Sequence, residues 1–183
     1  PSLTCLSYAG SRALGPGTRA LLAGLVAMAA SGPDGGGDGH GGRTTSLIEL
    51  DFDDCSFGTG EDAEADALVP LCALLRSGCP HLAKLVVKDG GLGPAGFDLL
   101  VDALGAGNCP LRHLDVGCLD LEEDGAAALA AYIDHHLTGT LEELHLETNL
   151  IEDGGLAALL PVLAKCKKLK VLNLTENGLE EGG

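Results

Sequence analysis

A self-similar template, L-x-x-L-x-L-x-x-[N/C]-x-L, returns along most of the 183 residues and leaves this chain few ways to fold. It reads Leu47, Leu50, Phe52, Cys55 and Phe57; then Leu82, Leu85, Val87, Gly90 and Leu92; then Leu111, Leu114, Val116, Leu119 and Leu121. Two further copies are Leu141, Leu144, Leu146, Asn149 and Ile151, and Leu169, Leu172, Leu174, Asn177 and Leu179. Their starts lie 35, 29, 30 and 28 residues apart. A looser copy opens the chain at Leu3, Leu6, Tyr8, Ser11 and Leu14, one residue out of register and 44 residues before the next. A unit this short cannot bury its own apolar face, so successive copies must stack and share one core.

Inside each template the apolar period is 2, and between templates it changes to about 3.6, as over Gly96–Leu104 and Gly155–Leu163. Each unit is therefore a short strand followed by a helix. About six such units predict an α/β solenoid over residues 1–183, a single domain with a parallel sheet on its concave face and helices on the convex side, because helices are wider than strands. The longest spacing holds a Gly-rich stretch, residues 31–46, expected to form a flexible insertion. Its Asp34, Asp38 and His40 match no metal-binding spacing. A smaller acidic extension, Gly58–Ala67, carries Glu61, Asp62, Glu64 and Asp66 toward a helix N-terminus, while Lys165, Lys167, Lys168 and Lys170 gather near a helix C-terminus. The chain opens in a strand and ends with Asn177–Gly183 where another helix is due, which reads as a stretch of a longer array.

Position nine of the template decides how the turn after each strand is satisfied. Asn149 and Asn177 can hydrogen-bond the backbone of the turn, and Cys55 can substitute weakly. Gly90 and Leu119 cannot, so the middle of the array is expected to be less regular or to rely on water.

Eleven Lys and Arg against 27 Asp and Glu give a net charge of −16, which repels nucleic-acid phosphates and anionic lipid. Aromatics are 3% with no Trp, so the stacking platforms of single-strand binders are missing and the core must be Leu, Ala and Val. Seven Cys without paired spacing predict reduced, mostly buried thiols in a cytoplasmic protein rather than a disulfide framework or zinc site. The apolar run Ala20–Ala30 is too short to span a bilayer. With Arg12 and Arg19 before it and Ala27-Met28-Ala29 within it, the run mimics a signal sequence, but the repeat explains it better as a convex helix.

Alternation also turns the third, fifth and seventh template positions away from the Leu core and onto the open face of the sheet. The first lateral row becomes Glu49, Lys84, His113, Glu143 and Val171, and the second Asp51, Val86, Asp115, His145 and Asn173. A third runs Asp53, Lys88, Gly117, Glu147 and Thr175. The candidate partner-binding residues are thus Glu49, Asp51, Asp53, Lys84, Lys88, His113, Asp115, Glu143, His145 and Glu147, an acidic set relieved by two lysines and suited to a protein with a basic surface. His113 beside Glu143 and Asp115 beside His145 resemble acid/base pairs, but an open sheet excludes no water and no Ser or Cys nucleophile is tied to a base. Phosphate-loop signatures are absent. No catalytic residue, metal or cofactor is expected.

The long period and full helix resemble the ribonuclease-inhibitor-like class of leucine-rich repeat protein. Within that class, Leu119–Gly125, Thr140–Asn149 and Val171–Leu179 resemble the later repeats of the Ran GTPase-activating proteins. Ala9–Leu14 is similar to an A-G-x-N-R-L stretch of that family, with Arg12 where the family has Asn. The resemblance implies an interaction module that binds a Ran-like small GTPase and orders the GTPase's own machinery without an arginine finger. The family's critical polar residues lie in repeats N-terminal to the matched part, so none is assigned here. The rival reading is a non-catalytic scaffold of the same repeat class, an axonemal or cytoskeletal assembly component or the repeat region of an innate-immune-type receptor. Further N-terminal repeats and an acidic tail would favour the Ran regulator, a nucleotide-binding domain the receptor, and a coiled coil the scaffold.

Overall fold

The computed structural model describes residues 3–10, 16–30, 46–55, 57, 68–77 and 79–179. Leu6, Leu50, Leu85, Leu114, Leu144 and Leu172, the fourth residue of each template copy, are successive register partners across the sheet. Each is the middle residue of a three-residue strand: β1 (Cys5–Ser7), β2 (Glu49–Asp51), β3 (Lys84–Val86), β4 (His113–Asp115), β5 (Glu143–His145) and β6 (Val171–Asn173). The strands pair in chain order and every pair is parallel. Parallel neighbours require a crossover between them. Helices α1 (Pro16–Ala30), α2 (Leu68–Arg76), α3 (Gly93–Gly107), α4 (Glu122–Tyr132) and α5 (Glu152–Leu163) fill those five connections, and a π-helical turn, Ile133–Leu137, continues α4.

Each helix packs on its chain neighbours and turns one stripe to the strand leucines. In α3 the stripe is Phe97, Leu100, Ala103 and Leu104; in α2 it is Leu68, Leu71, Cys72, Leu74 and Leu75. The Ala20–Ala30 run lies within α1 and places Leu22 in the core, the repeat role expected of it. Burying each such leucine contributes about 1.5 to 3 kcal/mol. Leu172 departs from the expectation: it is 40% exposed, as is Val171, because no described residue stacks over β6.

The backbone hydrogen bonds run regularly through the middle of the array, so Gly90 and Leu119 do not interrupt them. At the eighth template position the N–H donates to the seventh-position carbonyl of the next copy: Gly10 to Asp53, Asp54 to Lys88, Asp89 to Gly117, Cys118 to Glu147 and Thr148 to Thr175. All five donors have positive φ, between 53° and 75°, which swings the amide toward the neighbouring copy. Only Gly10 among them is a glycine. The backbone itself therefore carries the register where side chains do not.

Asn149 explains why Leu119 needs no polar side chain of its own. Its Oδ1 accepts the Leu119 N–H at 2.8 Å, and its Nδ2 donates to the Val116 carbonyl at 2.8 Å and the Leu146 carbonyl at 3.0 Å. Asn177 repeats the pattern one copy later, accepting from Asn149 N–H at 3.0 Å and donating to Leu146 and Leu174. Cys55 follows with its weak donor, its Sγ lying 2.9 Å from the Tyr8 carbonyl in the preceding copy. Asn149, Asn177 and Cys55 thus each serve the turn before their own as well as their own.

At the end of α5, only one of the three bonded lysines acts as a cap. Lys167 donates to the Ala164 carbonyl at 2.9 Å, whereas Lys165 reaches Asp134 at 2.7 Å and Lys170 reaches Glu142 at 2.6 Å. Among the described residues, no helix is long and apolar enough to cross a membrane. The Gly-rich stretch with Asp34, Asp38 and His40, the extension at 58–67 with its acids, and Ser11, Arg12 and Leu14 lie outside the described residues.

Candidate functional site: the polar face of the sheet

Strand pairing places the predicted rows side by side. Glu49, Lys84, His113, Glu143 and Val171 are consecutive register partners, as are Asp51, Val86, Asp115, His145 and Asn173. The third row follows from the eighth-position hydrogen bonds, which align Asp53, Lys88, Gly117, Glu147 and Thr175. All ten candidate residues are half-buried, their backbones held in or just beyond the strands and their polar ends on the face opposite the leucines. Val86 is buried, at 6% exposure, and interrupts the middle row with an apolar floor.

Two ion pairs tie the face together. Lys84 Nζ reaches Glu49 Oε1 at 2.7 Å on the adjacent strand, and the hydrogen bond to Glu49 holds the Lys84 ammonium above its ordinary pKa despite partial burial. Lys88 Nζ instead reaches Glu147 Oε1 at 2.8 Å, two copies away. Gly117 makes that span possible, because a Cβ there would lie 2.9 Å from Glu147 Cδ. Glu147 also accepts from Asn173 Nδ2 at 2.9 Å. Burial pushes the Glu147 carboxyl up, but the Lys88 hydrogen bond and the surrounding charges outweigh it and leave the group below its usual range.

Aspartates at the fifth position have a local task. Asp51 Oδ1 accepts the Asp53 N–H and Asp115 Oδ1 accepts the Gly117 N–H, each at 3.1 Å, fixing the chain as it leaves the strand. Asn173 does the same for Thr175 at 3.2 Å. Desolvation raises the Asp115 carboxyl above its ordinary value, opposed by the Gly117 hydrogen bond and reinforced by Glu147.

The first two rows meet at a cluster of imidazoles and carboxylate. His113 Nδ1 lies 2.9 Å from Glu143 Oε2, and His145 Nε2 lies 4.0 Å from that same oxygen. The two rings are 5.2 Å apart, centroid to centroid, and tilted by 35°. Asp115 is the register partner of His145, which acts through space to favour the Asp115 carboxylate. Asp51 and Asp53, two strands away on β2 and its turn, do not join this cluster. Gly117 and Asn173 were not among the candidate binders, yet they set where Glu147 points. Their signal was present in the rows: a residue without a side chain between Lys88 and Glu147, and an amide in the copy that follows.

A family model described as Leucine Rich repeat matches residues 140–160, which run through β5 into α5. No curated protein matches the chain. The matched segment, together with six strands pairing in chain order and in one register, supports a leucine-rich repeat protein.

Proposed function

We propose that the polar face of the sheet binds a protein partner of basic surface, and that the chain is part of a Ran-type GTPase activator. The leucine-rich repeat match already points to a protein-interaction module. The observation that carries the finer reading is one of alignment: Glu49, Asp51, Asp53, Asp115, Glu143 and Glu147 share a face with Lys84 and Lys88. With a net charge of −16 behind it, this face attracts a basic partner at long range and raises the rate of encounter at low salt. Support for a Ran-like GTPase comes from the similarity of 119–125, 140–149 and 171–179 to the later repeats of its activators. In that reading the chain holds the GTPase, and no side chain here takes part in the chemistry.

Single-turnover GTP hydrolysis by Ran, with and without the full-length protein, tests the proposal. A rate increase that weakens as salt rises, and weakens further with Asp53→Lys, is the expected result. An unchanged rate contradicts the GTPase reading and leaves a non-catalytic scaffold of the same repeat class. Acceleration that is indifferent to salt and to Asp53→Lys removes the acidic face from the account.

A further inference from the structure

We propose that His113, Glu143 and His145 bind a divalent transition-metal cation of the zinc class on the polar face of the sheet. The register assembles the donors from two adjacent strands: His113 and Glu143 are direct partners, and His145 follows Glu143 by two residues on the same face. One donor atom from each residue lies within 4.8 Å of the other two. A tetrahedral ion bound at about 2.0 to 2.1 Å needs its donors roughly 3.3 Å apart. The His113–Glu143 separation of 2.9 Å and the His145–Glu143 separation of 4.0 Å straddle that value, and no edge of the set, His113 to His145 included, exceeds 4.8 Å, so binding asks only for a small contraction of the three side chains.

Donor chemistry selects the ion. Two imidazoles and one carboxylate suit zinc, nickel or copper(II), whereas calcium and magnesium take all-oxygen shells. The site is sheltered but not closed, with His113 and His145 side chains 23% exposed and Glu143 44% exposed, which leaves the outward coordination positions to water. Charge nearby favours a cation. Asp115 is in register with His145, and the neighbouring lysines are each drawn to a carboxylate outside the set, Lys84 to Glu49 at 2.7 Å and Lys88 to Glu147 at 2.8 Å. An ordinary surface His–Glu hydrogen bond would account for His113 and Glu143, but gives no role to the second ring turned toward the same carboxylate oxygen.

The proposal does not depend on the partner-binding reading, and its test uses no partner. The reduced, metal-free chain is titrated with zinc chloride by calorimetry, and with cobalt(II) as a spectroscopic substitute. One zinc per chain is expected. His113→Ala, His145→Ala and Glu143→Gln should each weaken it by more than the roughly tenfold that losing an outer-shell partner costs. His81→Ala and His135→Ala, elsewhere on the surface, should leave it unchanged. Cobalt should give d–d bands of nitrogen and oxygen ligation without a thiolate charge-transfer band, a readout on the unmodified chain that needs no variant to fold. Absence of saturable zinc binding overturns the site. So does binding that survives all three substitutions, or a cobalt spectrum dominated by thiolate, which would place the ion on cysteines.

Discussion

Asn149 shows at the scale of one side chain how the copies are locked together. It is fully buried, and its amide joins the Leu119 N–H to the carbonyls of Val116 and Leu146, three backbone groups that would otherwise lack a partner in common. Asn149→Ala should therefore lower unfolding stability by on the order of 3 kcal/mol, since each buried group left without a partner costs about 1 to 3 kcal/mol. Asn149→Asp should cost at least as much, because it keeps the acceptor for Leu119 but sets a carboxylate oxygen against two carbonyls. Chemical denaturation measures both. A loss under about 0.5 kcal/mol for either variant would mean that the bonds formed by this amide contribute nothing net.

At the scale of the strand and its turn, the recurring device is backbone in the left-handed region at the eighth, tenth and twelfth template positions. Asp120 and Glu122 occupy the latter two in one copy, Leu150 and Glu152 in the next, and Gly91 and Gly93 in an earlier one. Leucine is the least suited of these. Leu150 has φ of 55° and its side chain is 51% exposed, so it gains little packing for the strain. Left-handed backbone costs a non-glycine residue about 1 to 2 kcal/mol, and glycine forfeits about 0.5 to 1 kcal/mol of that through unfolded-state entropy. Leu150→Gly is accordingly expected to raise stability by about 0.5 to 1 kcal/mol in a thermal or urea melt. A loss of about 1 kcal/mol or more would show that the exposed side chain holds the turn.

Not all of this device is legible in the amino-acid sequence. Alternating leucines were enough to place all six strands, their order and the three rows of the polar face. The regular ladder past Gly90 and Leu119 was not legible, because it depends on backbone sign at residues such as Asp54, Asp89 and Cys118, where glycine, the usual marker of positive φ, is absent. Nor was the Lys88–Glu147 pair, which skips a strand and exists only because Gly117 leaves room. The imidazole cluster was half visible: the rows set His113 beside Glu143, while the approach of His145 to the same oxygen depends on side-chain geometry.

Across the whole molecule, one continuous core from Leu6 to Cys166 underlies the polar face, and its integrity can be read chemically through the thiols. Cys5 is exposed and Cys118 half-buried, while Cys55, Cys72, Cys79, Cys109 and Cys166 are buried. Desolvation raises the thiol pKa of Cys72 and Cys166, and Cys109 is raised by its hydrogen bond with Cys79 together with burial. Alkylation of the native protein mapped by mass spectrometry should modify Cys5 first, and Cys72 and Cys109 only as the core opens. Modification of Cys72 at the rate of Cys5 would show that α2 does not cover the sheet.

The polar face exists only if successive residues of a strand point to opposite sides of one shared sheet, and β5 offers the sharpest check. Equilibrium unfolding of Glu143→Ala, Leu144→Ala and His145→Ala, measured side by side, should show a loss of about 2 to 5 kcal/mol for Leu144→Ala, from the cavity it opens, and under about 1 kcal/mol for each of its two neighbours. A Leu144→Ala loss below about 0.5 kcal/mol, or equal losses at all three positions, would mean that the leucines do not share the core and that the polar rows do not form a face.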